Sequence, residues 1–146
     1  MAKLIVANWK SNPSTLAGAK KLARASDIKN VVIAPSYPHL EKVGRTIKHA
    51  SLGAQDLEVS PNQLKSLKVR YVIIGHSDRR KLGETDTIIN KKVKTALKAG
   101  LKVILCVGED KAIRREGLPA GRQGLAAAKK FVANQLKKDL AGIRNS

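Results

Sequence analysis

Five short runs, apolar at nearly every position, recur along the chain between lysine-rich stretches with helical spacing. They are Leu4 to Ala7, Val31 to Ala34, a weaker one from Ala50 to Ala54, Tyr71 to Ile74, and Val103 to Val107. A run without polar alternation suits a strand covered on both faces, the usual state of strands in parallel sheets. The intervening segments read as helices. Ser14 to Ala25 has Ser14 and Thr15 as caps and Leu16, Ala19 and Leu22 at helical spacing. Pro38 to Lys48 begins with proline in its first turn, and Pro61 to Leu67 follows Ser60 as an N-cap. Thr87 to Ala99 places Ile88, Ile89, Val93, Ala96 and Leu97 on one face and stops at Gly100, and Leu125 to Leu140 repeats Leu125, Ala128, Val132, Gln135, Leu136 and Leu140. Strand and helix alternating about five times predict a parallel sheet with right-handed crossovers, either an open doubly wound sheet or part of a barrel.

Composition narrows the class. The 146 residues are 42% hydrophobic, enough to bury a core, but 3% aromatic, so the core is expected to be aliphatic. The one cysteine, Cys106, excludes a disulfide scaffold and fits a reducing compartment. No apolar run approaches the ~18–20 residues of a membrane helix, and Leu4 to Ala7 is too short for a signal peptide, so a cytoplasmic protein without a membrane partner is expected. Lys and Arg number 29 against 11 Asp and Glu, a net charge of +18, which admits anionic ligands or nucleic acid as partners. No aromatic stripe is available for base stacking and the lysines fall on outer helix faces, so nucleic acid is not the expected partner. No linker divides the chain, which reads as a single domain over residues 1–146. Gly117 to Gly124 reads as an inserted flexible loop, and the Gly-Lys-Ser/Thr ending of a phosphate-cradling P-loop is absent from it.

Three strings follow predicted strands: Asn8-Trp9-Lys10, Gly75-His76-Ser77-Asp78-Arg79-Arg80, and Cys106-Val107-Gly108-Glu109. Sites of parallel α/β folds assemble at the carboxyl ends of strands. Lys10 there would supply positive charge and Asn8 a neutral hydrogen-bond donor to an anionic substrate. His76 stands just ahead of a helical stretch, whose dipole favours the neutral imidazole, and a neutral imidazole can donate to a carbonyl gaining negative charge. Singly, each has a plain structural reading: a satisfied histidine, a solvated lysine, arginines pairing with Glu84 and Asp86, and a buried small thiol at Cys106.

The strings together narrow the choice. Asn8-Trp9-Lys10-Ser11-Asn12, Ala34-Pro35-Ser36-Tyr37, Gly53-Ala54-Gln55-Asp56, Tyr71 to Arg80, Gly83-Glu84-Thr85-Asp86 and Ile104 to Glu109 occur in that order. The chain from residue 3 to about 140 thereby resembles the amino-terminal part of triosephosphate isomerase. The resemblance implies a partial (β/α)8 barrel of about five βα units lacking strands six to eight. It implies interconversion of dihydroxyacetone phosphate and glyceraldehyde 3-phosphate in glycolysis and gluconeogenesis, through an enediolate and with neither cofactor nor metal. It makes Lys10 the electrostatic, substrate-binding lysine, Asn8 its hydrogen-bonding neighbour, and Ser77 a supporting residue. His76 becomes the electrophile that polarises the carbonyl, chemistry for which triosephosphate isomerase is itself the familiar worked case.

Three departures shape the expectation. The family's general base, a Glu in an Ala-Tyr-Glu-Pro-Val-Trp-like string, has no counterpart here, nor do the glycine-rich phosphate loops of strands seven and eight. A complete barrel takes about 250 residues. Asp56 to Ser60 runs directly into Pro61, where the family carries a longer loop that reaches into a partner subunit. Asp78 stands where the family has Glu, shortening its reach toward Lys10 by one methylene. The expected outcome is a chain with little or no activity alone. The alternatives are a non-catalytic half-barrel interaction module or a fragment completed by itself or a second chain, with a basic nucleic-acid-binding protein as the weaker reading.

Overall fold

The computed structural model describes residues 3–109 and 125–144, with backbone alone for 122–124. Its elements are β1 (Ile5–Asn8), α1 (Leu16–Ala25), β2 (Val31–Ala34), α2 (Tyr37–Gly44), β3 (Ser51–Ala54), α3 (Pro61–Ser66), β4 (Tyr71–Ile74), α4 (Ser77–Lys81), α5 (Asp86–Lys98), β5 (Lys102–Leu105) and α6 (Arg122–Asp139). They fall into two compact units, Met1–Ile74 with Thr95–Ile104 and Gly75–Lys94 with Leu105–Ser146.

The first unit holds the sheet, in the order β1-β2-β3-β4-β5. Pairing is parallel, with Ile5 opposite Val31, Ile33 opposite Leu52, and Gly53 opposite Tyr71. This order decides between the two architectures left open above. A doubly wound sheet reverses its strand order at a switch point, whereas a barrel adds each strand beside the last. The chain is therefore a partial (β/α)8 barrel of five units. β2, β3 and β4 are almost wholly buried and supply Val32, Ile33, Leu52, Val72 and Ile74 to a core whose buried apolar residues are all aliphatic among those described. α1 buries Ala19 and Ala23, and α2 buries Leu40 and Val43. Gly53 is required in β3, because a Cβ there would sit 2.7 Å from Val32 Cγ1.

The expectation of burial on both faces fails at β1. Ile5 is 62% exposed, because β1 is the sheet's first strand and pairs with β2 alone. The helices also differ in detail. Thr15, not Ser14, caps α1, accepting the Gly18 N–H at 3.1 Å. α2 ends at Gly44, well before Lys48. On α5, Ile89, Val93 and Ala96 are buried while Ile88 and Leu97 are exposed, so the apolar stripe is narrower than the sequence implies. Residues 117–121 of the expected glycine-rich loop lie outside the described residues, and Arg122 already belongs to α6. No helix among the described residues is long and apolar enough to cross a membrane.

Candidate active site

Asn8 and Lys10 stand in the first unit, where the chain leaves β1. Lys10 has φ of 53°, left-handed backbone that ordinarily costs a non-glycine residue about 1–3 kcal/mol. Two side chains hold it there. Asn8 Oδ1 accepts the Lys10 N–H at 3.0 Å, and Gln55 Nε2 donates to the Lys10 carbonyl at 2.8 Å and to that of Ala34 at 2.9 Å. Because Asn8 Oδ1 takes an N–H, its other terminus, Nδ2, is a donor. The lysine side chain is left exposed on a fixed stem. Gln55 is a positioning residue that the sequence reading quoted without a role, since its partners lie 21 and 45 residues away.

His76, Ser77 and Asp78 stand in the second unit, after β4. His76 is the N-cap of α4, and its Nδ1 accepts the Asp78 N–H at 3.2 Å. A nitrogen that accepts an N–H carries no proton, so in this arrangement the ring is neutral with its hydrogen on Nε2. Asp78 Oδ2 also lies 3.4 Å from Nδ1, a pairing that needs a protonated ring. The amide is fixed by the helix, whereas the carboxylate stands on an exposed side chain. His76 thus stands at the N-terminal end of α4, as its place ahead of a helical stretch implies. Ser77 is exposed at the first position of α4.

The arginines of the same string are structural. Arg79 Nε meets Glu84 Oε1 at 2.8 Å, and Lys92 Nζ reaches the same oxygen at 2.6 Å. Burial raises the Glu84 pKa, but these two cations outweigh it and hold the carboxyl below its ordinary range. Arg80 binds Asp86 and also Asp139 of α6, which the sequence reading did not single out. Burial pushes the Cys106 thiol up, consistent with an inert side chain. Gln135, within the apolar stripe of α6, accepts the Gly108 N–H at 2.8 Å. No group of three His, Cys, Asp or Glu among the described residues is placed to hold a metal ion.

Lys10 follows the first strand and His76 caps the helix after the fourth, on βα units whose strands pair in sequence order. The family model for triosephosphate isomerase matches residues 3–146. The chain belongs to the triosephosphate isomerase family. It is 43% identical to the triosephosphate isomerase of Chlorobium phaeovibrioides over 135 residues, which cover 79% of this chain and 54% of that one. The Treponema denticola triosephosphate isomerase is 42% identical over 158 aligned positions, covering 95% and 59%, and that of Thermoanaerobacter pseudethanolicus is 37% identical, covering 96% and 60%. The chain thus spans somewhat more than half the length of the triosephosphate isomerases it matches.

Proposed function

We propose that this chain carries the electrophilic part of a triosephosphate isomerase site, acting in the interconversion of dihydroxyacetone phosphate and glyceraldehyde 3-phosphate. A glycolytic and gluconeogenic role in the cytoplasm goes with that reading. The observation that supports it most is the Asp78 N–H on His76 Nδ1, which leaves Nε2–H as the ring's donor. Removing a proton from the carbon beside a carbonyl builds negative charge on the carbonyl oxygen. A neutral Nε2–H donor stabilises that charge and exchanges a proton between the two oxygens of the enediolate. Lys10 supplies a cation for the anionic substrate, and Asn8 both shapes the lysine's turn and offers Nδ2 as a donor. Ser77 and Asp78 support the histidine from the first turn of α4.

The step that removes the carbon-bound proton has no base in this sequence, since no Ala-Tyr-Glu-Pro-Val-Trp-like string is present. Without a positioned base about 10²–10⁴-fold in rate is forgone, and the family's glycine-rich phosphate loops are likewise not among these 146 residues. A coupled assay with glyceraldehyde 3-phosphate is expected to register turnover no faster than solution. Family-like turnover by the chain alone would contradict this.

A second reading, a half-barrel completed in trans, draws support from β1. Its exposed Leu4, Ile5 and Val6 and its open backbone edge fit another parallel strand. The loop after β3 is short, and Tyr37 Oη ties it down by donating to the Asp56 carbonyl and accepting the Glu58 N–H. We therefore propose that the family's loop-mediated dimer does not form. No association on mixing with a polypeptide carrying the remaining barrel strands would remove the second reading.

A further inference from the structure

Within the second unit, Arg80 is held on every side of its guanidinium. Nη1 donates to Asp86 Oδ1 at 2.7 Å, Nη2 to Asp139 Oδ2 at 2.7 Å and to the Cys106 carbonyl at 3.4 Å, and Nε to the Gly75 carbonyl at 3.0 Å. A planar guanidinium gripped at both terminal nitrogens has no freedom left to aim its Nε. Its target is the peptide that carries the chain from Gly75 into His76. Gly75 has φ of +79°, and a Cβ there would lie 2.9 Å from the Cys106 carbonyl and 3.2 Å from Arg80 Nη2, so the turn and the guanidinium pack in contact.

Asp139 sits at the end of α6, 59 residues from its partner. Its side chain is fully buried, and Oδ1 has no hydrogen-bond partner among the described residues. Burial pushes its carboxyl above the ordinary range, Arg80 draws it back, and Asp86 adds to the rise. A buried carboxylate with one oxygen unanswered is a poor device for stability. Its side chain grips Arg80 and stands beside the Asp86 carboxyl, which holds the same guanidinium.

We propose that Asp139 is a positioning residue for His76, acting through Arg80, which it locks against the Gly75 carbonyl. The imidazole is then set by two fastenings, the local Asp78 N–H and a remote one anchored on α6. This deepens the proposed function and rests on His76 as its electrophile.

Nitrogen NMR of the histidine rings in the full chain tests it, with His39 and His49 as references. The wild-type His76 ring is expected as the Nε2–H tautomer at neutral pH. Asp139→Leu keeps bulk but removes the acceptor, and the two His76 nitrogen resonances are expected to move toward each other as tautomers exchange, with His39 and His49 unmoved. Asp139→Asn keeps an oxygen without the charge and is expected to give a smaller shift in the same direction. Arg80→Lys keeps the charge but cannot hold Gly75 and both carboxylates at once, and is expected to reproduce the leucine variant. His76 resonances that superimpose on the wild type in the folded Asp139 variants overturn the inference and leave the proposed function standing. A wild-type ring with its proton on Nδ1 removes the electrophile itself, whatever the variants do. Should Asp139→Leu fail to fold, the isosteric Asp139→Asn decides by the same criterion.

Discussion

Asp27 gathers three backbone N–H groups onto one carboxylate: Lys48 on Oδ2 at 2.8 Å, and His49 and Ala50 on Oδ1 at 2.7 and 2.8 Å. It thereby fastens the approach to β3 to the end of α1. Burial alone would raise its pKa, but the three amides outweigh that, and the folded value falls below the ordinary one. An aspartate depressed in the fold contributes stability that is present above its unfolded pKa of about 3.9 and is lost as pH falls through the lower folded value. Asp27→Ala is expected to cost about 1–3 kcal/mol near neutral pH. In denaturant melts the gap from wild type should close as pH drops below 4, and equal midpoints at pH 6 would refute the assignment. Asp139 has the opposite sign: its raised folded pKa makes its cost greatest at neutral pH and relieves it on acidification. Neither acid was legible in the sequence. Their partners lie 23 and 59 residues away, and periodicity pointed inward at Leu140, which is 39% exposed, instead of at its fully buried neighbour. Asn8, Lys10 and His76 were legible because their local strings carry both the turn geometry and the chemistry.

Two helices begin alike in sequence and differ in how they are held. Ser60 forms a full capping box at α3: its hydroxyl accepts the Gln63 N–H at 3.3 Å, and Gln63 Oε1 accepts the Ser60 N–H at 3.1 Å. Ser36 stands at the N-cap of α2, with proline in the first turn, yet its side chain makes no cap bond. Ser60→Ala is expected to cost about 1 kcal/mol, and Ser36→Ala less than about 0.5 kcal/mol. Thermal melts of the two variants side by side check this, and equal losses would contradict it. Strand positions were the more readable part, because β2 and β4 are apolar at every residue and flanked by turn residues. Exposure is legible from the count of strands instead of from any one run, since a sheet of five leaves β1 as an open edge. The same kind of apolar run is buried in β2 and open in β1, and the difference lies in the number of neighbouring strands, which no local window records.

At the scale of the whole molecule, composition sets the charge of +18, and where the acids go decides how it is spread over the surface. Asp56 and Asp139 are buried, Asp27 is occupied by backbone amides, and Glu84 and Asp86 are drawn in by Arg79, Lys92 and Arg80. Few carboxylates are left to balance Lys21, Lys42, Lys65 and Lys137 on the exposed helix faces. The excess is thus a property of the outer surface, whereas the Lys10 backbone is tied by Asn8 and Gln55 at the end of β1. The barrel character was legible as a choice between two architectures, and strand order settled it. The proposal that His76 is an isomerase electrophile, with the base outside these 146 residues, stands or falls on reconstitution. The most direct test is the rate of glyceraldehyde 3-phosphate isomerisation when the full chain is mixed with a polypeptide supplying the family's base-bearing and phosphate loops. Turnover is expected in the mixture and not from either piece alone, with a loss of about 10²–10³-fold for His76→Gln. A mixture that turns over equally well with His76→Gln would contradict it.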